Sequence, residues 1–314
     1  MTAVNPKNEV WRGGVNTWEC DDMGHMNTRF YVQRAGEGIQ MLFARLGLPG
    51  LFGVEAMSTV LVEEMHIRFH REALVSTPLY MTGAATGVNE TGIDLVLSLH
   101  DLTSDECKAT FRVRLRHVDS RDEAALVAWP GDFIERARER LEPLPENARP
   151  RSTGSDPVET VADPQKAEQM GMVRLAMGVI GPDRADIFGR MALNSFIGSV
   201  SDGIRSLTPA YRAIVAEHAP EPPQRVGGAV VETRVVHTAW PRVGDAYEIR
   251  SGLAFLEGPT MSLVHWMFDP VTGRHFGSMQ SVAVTFDLDR RKLVPITDTA
   301  RAELQPLCVA GLGL

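Results

Sequence analysis

A proline-studded break near the middle of the chain sets the terms for any fold. Between Leu141 and about Gln165, a run carrying Pro143, Pro145, Pro150 and Pro157 has almost no large apolar residue. Proline removes backbone donors and fixes φ, so the run predicts a solvated linker, not an element. It divides 314 residues into halves of similar length, each large enough to bury its own core. Equal halves call for a test of internal repetition.

The first half opens on a short β pattern around Val10–Trp18, followed by a turn-like Asp21-Asp22-Met23-Gly24. From about Asn27 to Leu46, Phe30, Ala35, Ile39, Leu42 and Phe43 recur at roughly helical spacing, and Gly47-Leu48-Pro49 ends the run. Strands are expected at Val60–Phe69, Leu79–Val88, Ile93–His100 and Cys107–Val118, where Met65 to His70 alternates as a half-buried antiparallel strand does. The second half repeats this order. A helical stretch from Met191 to about Glu217 precedes strands at Ala229–His237, Tyr247–Leu256, Met261–Phe268 and Gly277–Phe286.

An offset of 168 carries Glu64 onto Glu232, Val75 onto Val243, Leu95-Val96 onto Leu263-Val264 and Asp101 onto Asp269. An offset of 165 carries Asp21 and Gly24 onto Asp186 and Gly189. Identities are few, so the shared order of turn, helix and four strands carries the case for duplication. A helix with one apolar stripe needs a sheet to wrap it, which makes each half an α+β unit. The expected units are 8–140 and 169–290, with a linker at 141–168 and a C-terminal tail at 291–314.

Charge narrows the function classes. The chain has 32 Lys and Arg against 40 Asp and Glu, a net charge of −8. An acidic chain without a basic block is a poor phosphate-backbone binder, so nucleic acid is set aside as a partner. Cys20, Cys107 and Cys308 are too scattered for a disulfide framework or a CxxC metal site, and suit a reducing compartment. No apolar run reaches the ~18 residues of a membrane span, and residues 1–8 lack a signal pattern. A soluble cytoplasmic protein with no membrane partner is expected.

Chemistry concentrates in Trp18-Glu19-Cys20-Asp21-Asp22-Met23-Gly24-His25-Met26-Asn27-Thr28-Arg29-Phe30-Tyr31. Carboxylates, an imidazole and a carboxamide meet there at the start of a helix, whose unpaired amides and partial positive charge suit a developing oxyanion. Gly24 permits close approach of a ligand. Asp21 is placed to attack a carbonyl or activate water. The plainer reading is an N-capping turn in which Asp21 or Asp22 caps, His25 is solvated and Asn27 satisfies an amide.

The run Asp21-x-x-Gly24-His25-x-Asn27-x-x-x-Tyr31, with Glu37 further along the helix, resembles the signature of hotdog-fold acyl-CoA thioesterases of the hydroxybenzoyl-CoA thioesterase subgroup. The resemblance covers about residues 8 to 290 and implies a tandem double hotdog. It also implies hydrolysis of an acyl-CoA thioester, with coenzyme A arriving as part of the substrate and no metal or other cofactor. By that resemblance Asp21 matches the catalytic carboxylate, His25 a polarising or proton-transferring histidine, and Asn27 an orienting asparagine. Gly24 falls where oxyanion-binding amides are expected. Tyr31 and Glu37 are substrate-side candidates, Glu37 by a looser match. Association into a homodimer of double hotdogs is a further implication.

The second half departs from the pattern. Asp186 and Gly189 persist, but Arg190 stands at the place of His25, and Leu193 and Asn194 replace the asparagine pattern. Arg190 reads as a contact for a CoA phosphate or carboxylate, or as a surface helix residue. The second half is then a degenerate partner, or a second site working through Asp186. Elsewhere, Glu64, His66 and His70 on one strand face read as ordinary polar positions before a metal site. Cys20 lacks the partners of a thiol nucleophile. Gly13-Gly14 and Gly227-Gly228 lack nucleotide-binding context. The Met170–Met177 stretch reads as strand or core, and Phe133–Leu141 as a short exit helix. Two alternatives to hydrolysis stay open: a hotdog hydratase or dehydratase, and a non-catalytic acyl-CoA-binding protein.

Overall fold

A computed structural model describes residues 8–158 and 162–314. The described residues fall into two compact units: one runs to Pro150 and includes Pro182–Ile197, and the other comprises Arg151–Gly181 and Gly198–Leu314.

The first unit contains β1 (Glu9–Gly14), α1 (Thr28–Arg45), β2 (Ser58–Phe69), β3 (Pro78–Val88), β4 (Gly92–Asp101), β5 (Cys107–Asp119) and α2 (Gly131–Arg138). Its strands form an antiparallel sheet in the order β1-β3-β4-β5-β2. The β pattern expected to Trp18 stops at Gly14, and Thr17–Glu19 is a 3-10 turn. Helix α1 buries Tyr31, Val32, Ala35, Gly38, Ile39, Leu42 and Phe43. The stripe therefore starts at Tyr31, one position after the expected Phe30. Burying side chains such as Ile39 and Phe43 contributes roughly 1.5–3 kcal/mol each. At Gly38 the helix touches the sheet so closely that a Cβ would lie 2.8 Å from Met81 Sδ and 3.2 Å from Val10 Cγ2.

The second unit contains α3 (Pro164–Gln169), β6 (Val173–Val179), most of α4 (Ser195–Gly203), α5 (Thr208–Glu217), β7 (Val226–His237), β8 (Ala246–Glu257), β9 (Thr260–Phe268), β10 (His275–Asp287), β11 (Lys292–Val294) and α6 (Asp298–Leu304). Its main strands run β6-β8-β9-β10-β7, with β11 on β10. That order matches β1-β3-β4-β5-β2 strand for strand, with helix again between the first two strands in sequence.

The repeat extends to single turns. Asp101 Oδ1 accepts from the Thr103 and Ser104 amides at 2.8 and 3.1 Å. Asp269 Oδ1 accepts from Val271 and Thr272 at the same distances. Asp105 and Gly273, which close these turns, both take positive φ, 62° and 76°.

Three expectations are corrected. The single helix of Met191–Glu217 is broken into α4 and α5, with a 3-10 turn at Ile204–Ser206 between them. Pro209 lacks the N–H that a continuous helix needs there, and Gly203 packs so tightly that a Cβ would lie 2.4 Å from Leu175 O. The linker is not a free solvated stretch. Leu141 bridges to Ala85, and Ala148 is buried against Ala84 and Val96. The Arg151, Ser152 and Thr153 amides and Thr153 Oγ1 all donate to the buried Glu232 carboxylate. The C-terminal stretch is likewise built in: Leu312 joins a core cluster with Met172 and Trp266, and Trp266 Nε1 donates to Gly313 O.

Acid should unfold this chain ahead of its carboxylates. Burial pushes His265 down to about 3 and His237 down to about 4. His265 is fully buried, shares Nδ1 with Ser251 Oγ at 2.7 Å, and has no partner at Nε2. The unfolded chain binds protons at these sites near pH 6.5 and the folded chain does not, so stability falls as pH drops through that window. Each histidine is worth about 2 kcal/mol between pH 7 and pH 5. Denaturant titrations at both pH values check this, and His265→Gln should recover about half of the loss.

Candidate active site

The turn before α1 is built by one side chain. Asp21 Oδ1 accepts from the Met23 and His25 amides at 2.9 and 3.1 Å. The Asp21 amide donates to His25 O at 2.8 Å, and Gly24 closes the loop at φ 78°. Asn27 caps α1, its Oδ1 accepting from the Arg29 amide at 3.0 Å. The plain capping reading holds for Asn27 alone: Asp21 closes the turn ahead of the helix, and the His25 side chain is 15% exposed and not solvated.

The loop after β2 lies alongside. Met26 N–H donates to Ala73 O at 2.8 Å, and His25 bridges to Leu74. These contacts bring Glu72 Oε2 to 3.4 Å from His25 Nε2. Nothing in the sequence singled out Glu72, which sits 47 positions from His25 in an ordinary polar run, His70-Arg71-Glu72. Burial, with Asp21 and Glu19 nearby, pushes the Cys20 thiol up, which disfavours a thiolate beside Asp21.

Tyr31 turns into the core. Its ring is buried, edge-on to Phe69 at 5.2 Å, and its hydroxyl accepts from the Ala73 amide at 3.2 Å. Burial pushes the phenol up, so it stays neutral and holds the Glu72 loop. Tyr31→Phe should leave the buried Ala73 N–H without its acceptor and lower stability by about 1–3 kcal/mol in denaturant unfolding.

Glu37 is also placed elsewhere. Its carboxylate accepts from Trp11 Nε1 at 2.5 Å and from Arg34 Nη1 at 2.8 Å. Arg34 in turn pairs with the buried Glu19. This network ties α1 to β1 and the 3-10 turn. Gly24, where oxyanion-binding amides are expected, donates its own N–H to Asp21 O at 3.0 Å.

The second turn copies the first. Asp186 Oδ1 accepts from Phe188 and Arg190 amides, both at 2.9 Å, and Gly189 closes it at φ 73°. The Ala192 amide donates to Arg184 O at 2.8 Å, as Asn27 donates to Glu19 O at 2.8 Å. Ala192, not Leu193 or Asn194, therefore occupies the place of Asn27. An alanine cannot cap, and α4 starts only at Ser195.

Arg190 is the decisive difference. Its Nε and Nη2 lie 2.9 and 2.7 Å from Asp186 Oδ2. The side chain is 4% exposed and precedes the helix, which corrects its reading as a surface helix residue. Asp186 is thus consumed in an ion pair, whereas the hydrogen bonds described for Asp21 run through Oδ1. Among the described residues, no group of three or more His, Cys, Asp or Glu is spaced to hold a metal ion, and no helix is long and apolar enough to cross a membrane.

Residues 15–147 match the family model of the thioesterase-like superfamily. A search of curated proteins finds no match. Among solved structures, an acyl-ACP thioesterase from Bacteroides thetaiotaomicron aligns at TM-score 0.64 and 10% identity, covering 88% of this chain and 98% of its own. A 12:0-ACP thioesterase from Umbellularia californica aligns at TM-score 0.63 and 7% identity, covering 87% and 92%. At such identities these likenesses establish the fold, and they do so over nearly the whole chain. Residues 15–147 thus match the thioesterase-like superfamily, and over nearly the whole chain the fold is the hotdog-like one of these thioesterase structures.

Proposed function

We propose that the chain is an acyl-CoA thioesterase built as a tandem double hotdog, hydrolysing its substrate to a free carboxylic acid and CoA at the first turn. The matching strand orders of the two units support the tandem reading. The observation that carries the site assignment is the contrast between the turns. Asp21 is anchored through Oδ1, while Arg190 takes Oδ2 of Asp186.

In this reading the thioester carbonyl lies over the N-terminus of α1. Asp21 Oδ2 attacks the carbonyl carbon, or removes a proton from the water that does. Either way water adds across the C–S bond, hydroxyl to the acyl carbon and proton to the sulfur. His25, steadied by Glu72 at 3.4 Å, carries the proton. Gly24 being committed, the oxyanion falls to the amide of Thr28, the first residue of α1, where the helix dipole adds to the hydrogen bond. Asn27 keeps that helix end in place by capping the Arg29 amide. Asp186, Gly189 and Arg190 are structural, and the second unit is a degenerate partner. A homodimer of the chain is part of the same proposal.

Thiol release from short, medium, long and aromatic acyl-CoAs tests this, with free acid quantified in parallel. The expected result is CoA and acid in equal amounts. Saturable binding without thiol release would instead favour a binding protein, and consumption of an enoyl-CoA with the thioester intact would favour a hydratase.

A further inference from the structure

Because the two turns match hydrogen bond for hydrogen bond, the positions where they differ are informative. Trp18 stands three residues before Asp21 and is 76% exposed. Its counterpart at the second turn is Asp183, also exposed. On the loop bridged to His25, Leu74 and Val75 are 45% and 44% exposed. That loop has its own copy: Ser76 N–H donates to Val15 O at 2.8 Å, and Gly244 N–H to Ile180 O at 3.0 Å. By this equivalence Arg242 stands where Leu74 does. Val75 keeps a copy in Val243, 45% exposed, so the indole and Leu74 are what belong to the Asp21 turn alone.

Trp18 is shown from a fixed platform. Asn16 and Glu19 form a reciprocal capping box around Thr17–Glu19. Glu19 is itself buried, ion-paired to Arg34, and its carbonyl accepts from the Asn27 amide at 2.8 Å. The exposed ring is therefore carried, three residues before Asp21, on a backbone anchored at both ends. An apolar surface of this kind is stabilised when a ligand covers it. Three residues span at most about 11 Å, so the indole reaches groups near the thioester and not the distant nucleotide of CoA.

We propose that Trp18, with Leu74 and Val75, forms the wall against which the acyl group of the substrate lies, so that Trp18 selects extended apolar acyl groups over acetyl. This rests on the thioesterase reading of the Asp21 turn.

The test has one readout that needs no turnover. Trp129, Trp240 and Trp266 are buried and Trp11 is partly covered, so the part of iodide quenching that Trp18→Ala removes is the signal of Trp18. Binding of S-octyl-CoA, a thioether that cannot be hydrolysed, should protect the emission, and CoA alone should not. The protection should vanish in Trp18→Ala. In turnover, Trp18→Ala should lower the ratio of kcat/KM for octanoyl-CoA to that for acetyl-CoA about tenfold, the scale of a lost apolar contact, with partial rescue by Trp18→Phe. Equal protection by CoA alone, protection that depends on protein concentration without ligand, or an unchanged ratio would each overturn the proposal. Protection by S-octyl-CoA in a chain that releases no thiol would sink hydrolysis and keep the acyl wall. Turnover without protection would do the reverse.

Discussion

Asp21→Asn is expected to lower kcat/KM for acyl-CoA hydrolysis by about 10²–10⁴-fold, the usual weight of a positioned carboxylate, with little change in stability. Asparagine retains the Oδ1 acceptor that the Met23 and His25 amides require, so the turn and the cap of α1 survive. What is lost is the second carboxylate oxygen and its charge, and with them nucleophilic and base character. Alanine would be a poorer probe, because it leaves two amides without their acceptor and mixes a folding defect with a chemical one. Steady-state thiol release together with a denaturant curve separates the two.

Asp186→Asn is expected to do the opposite. The Phe188 and Arg190 amides keep their Oδ1 acceptor, but the Arg190 guanidinium loses a full charge at 2.7 Å. Arg190 is 4% exposed and its Nη1 already lacks a hydrogen-bond partner. Asp186 is 32% exposed, so removing its charge costs less than a fully buried pair would, about 1–3 kcal/mol. A marked fall in unfolding free energy should therefore accompany near-normal activity per folded molecule. Arg190→Met in the Asp186→Asn background should restore part of the stability, since it removes the orphaned charge.

Much of this architecture is legible in residue order because sheets and turns speak through local pattern. Alternation located all eight strands expected in the two meanders to within about three residues at their ends. Asp-x-x-Gly announced both turns, and the offsets of 165 and 168 foretold hydrogen bonds that the structure repeats. Three features escaped because they depend on how side chains and loops meet in the fold. Glu72 reaches His25 only through the pairing of two loops. Arg190 is buried by the carboxylate four residues before it, where composition alone would expose an arginine. The prolines of the linker predicted solvent, yet three backbone amides and the Thr153 hydroxyl converge on the Glu232 carboxylate. The break at Pro209 was local and readable: a proline in a helical stretch is reason enough to divide it.

The central claim is that two turns with the same hydrogen bonds divide into one that reacts and one that only holds. The most direct measurement is thiol release from one acyl-CoA by the wild-type chain, Asp21→Asn and Asp186→Asn, each normalised to its folded fraction. Activity should fall about 10²–10⁴-fold with the first substitution and be retained with the second. Equal loss in both, or loss with Asp186→Asn alone, would contradict it.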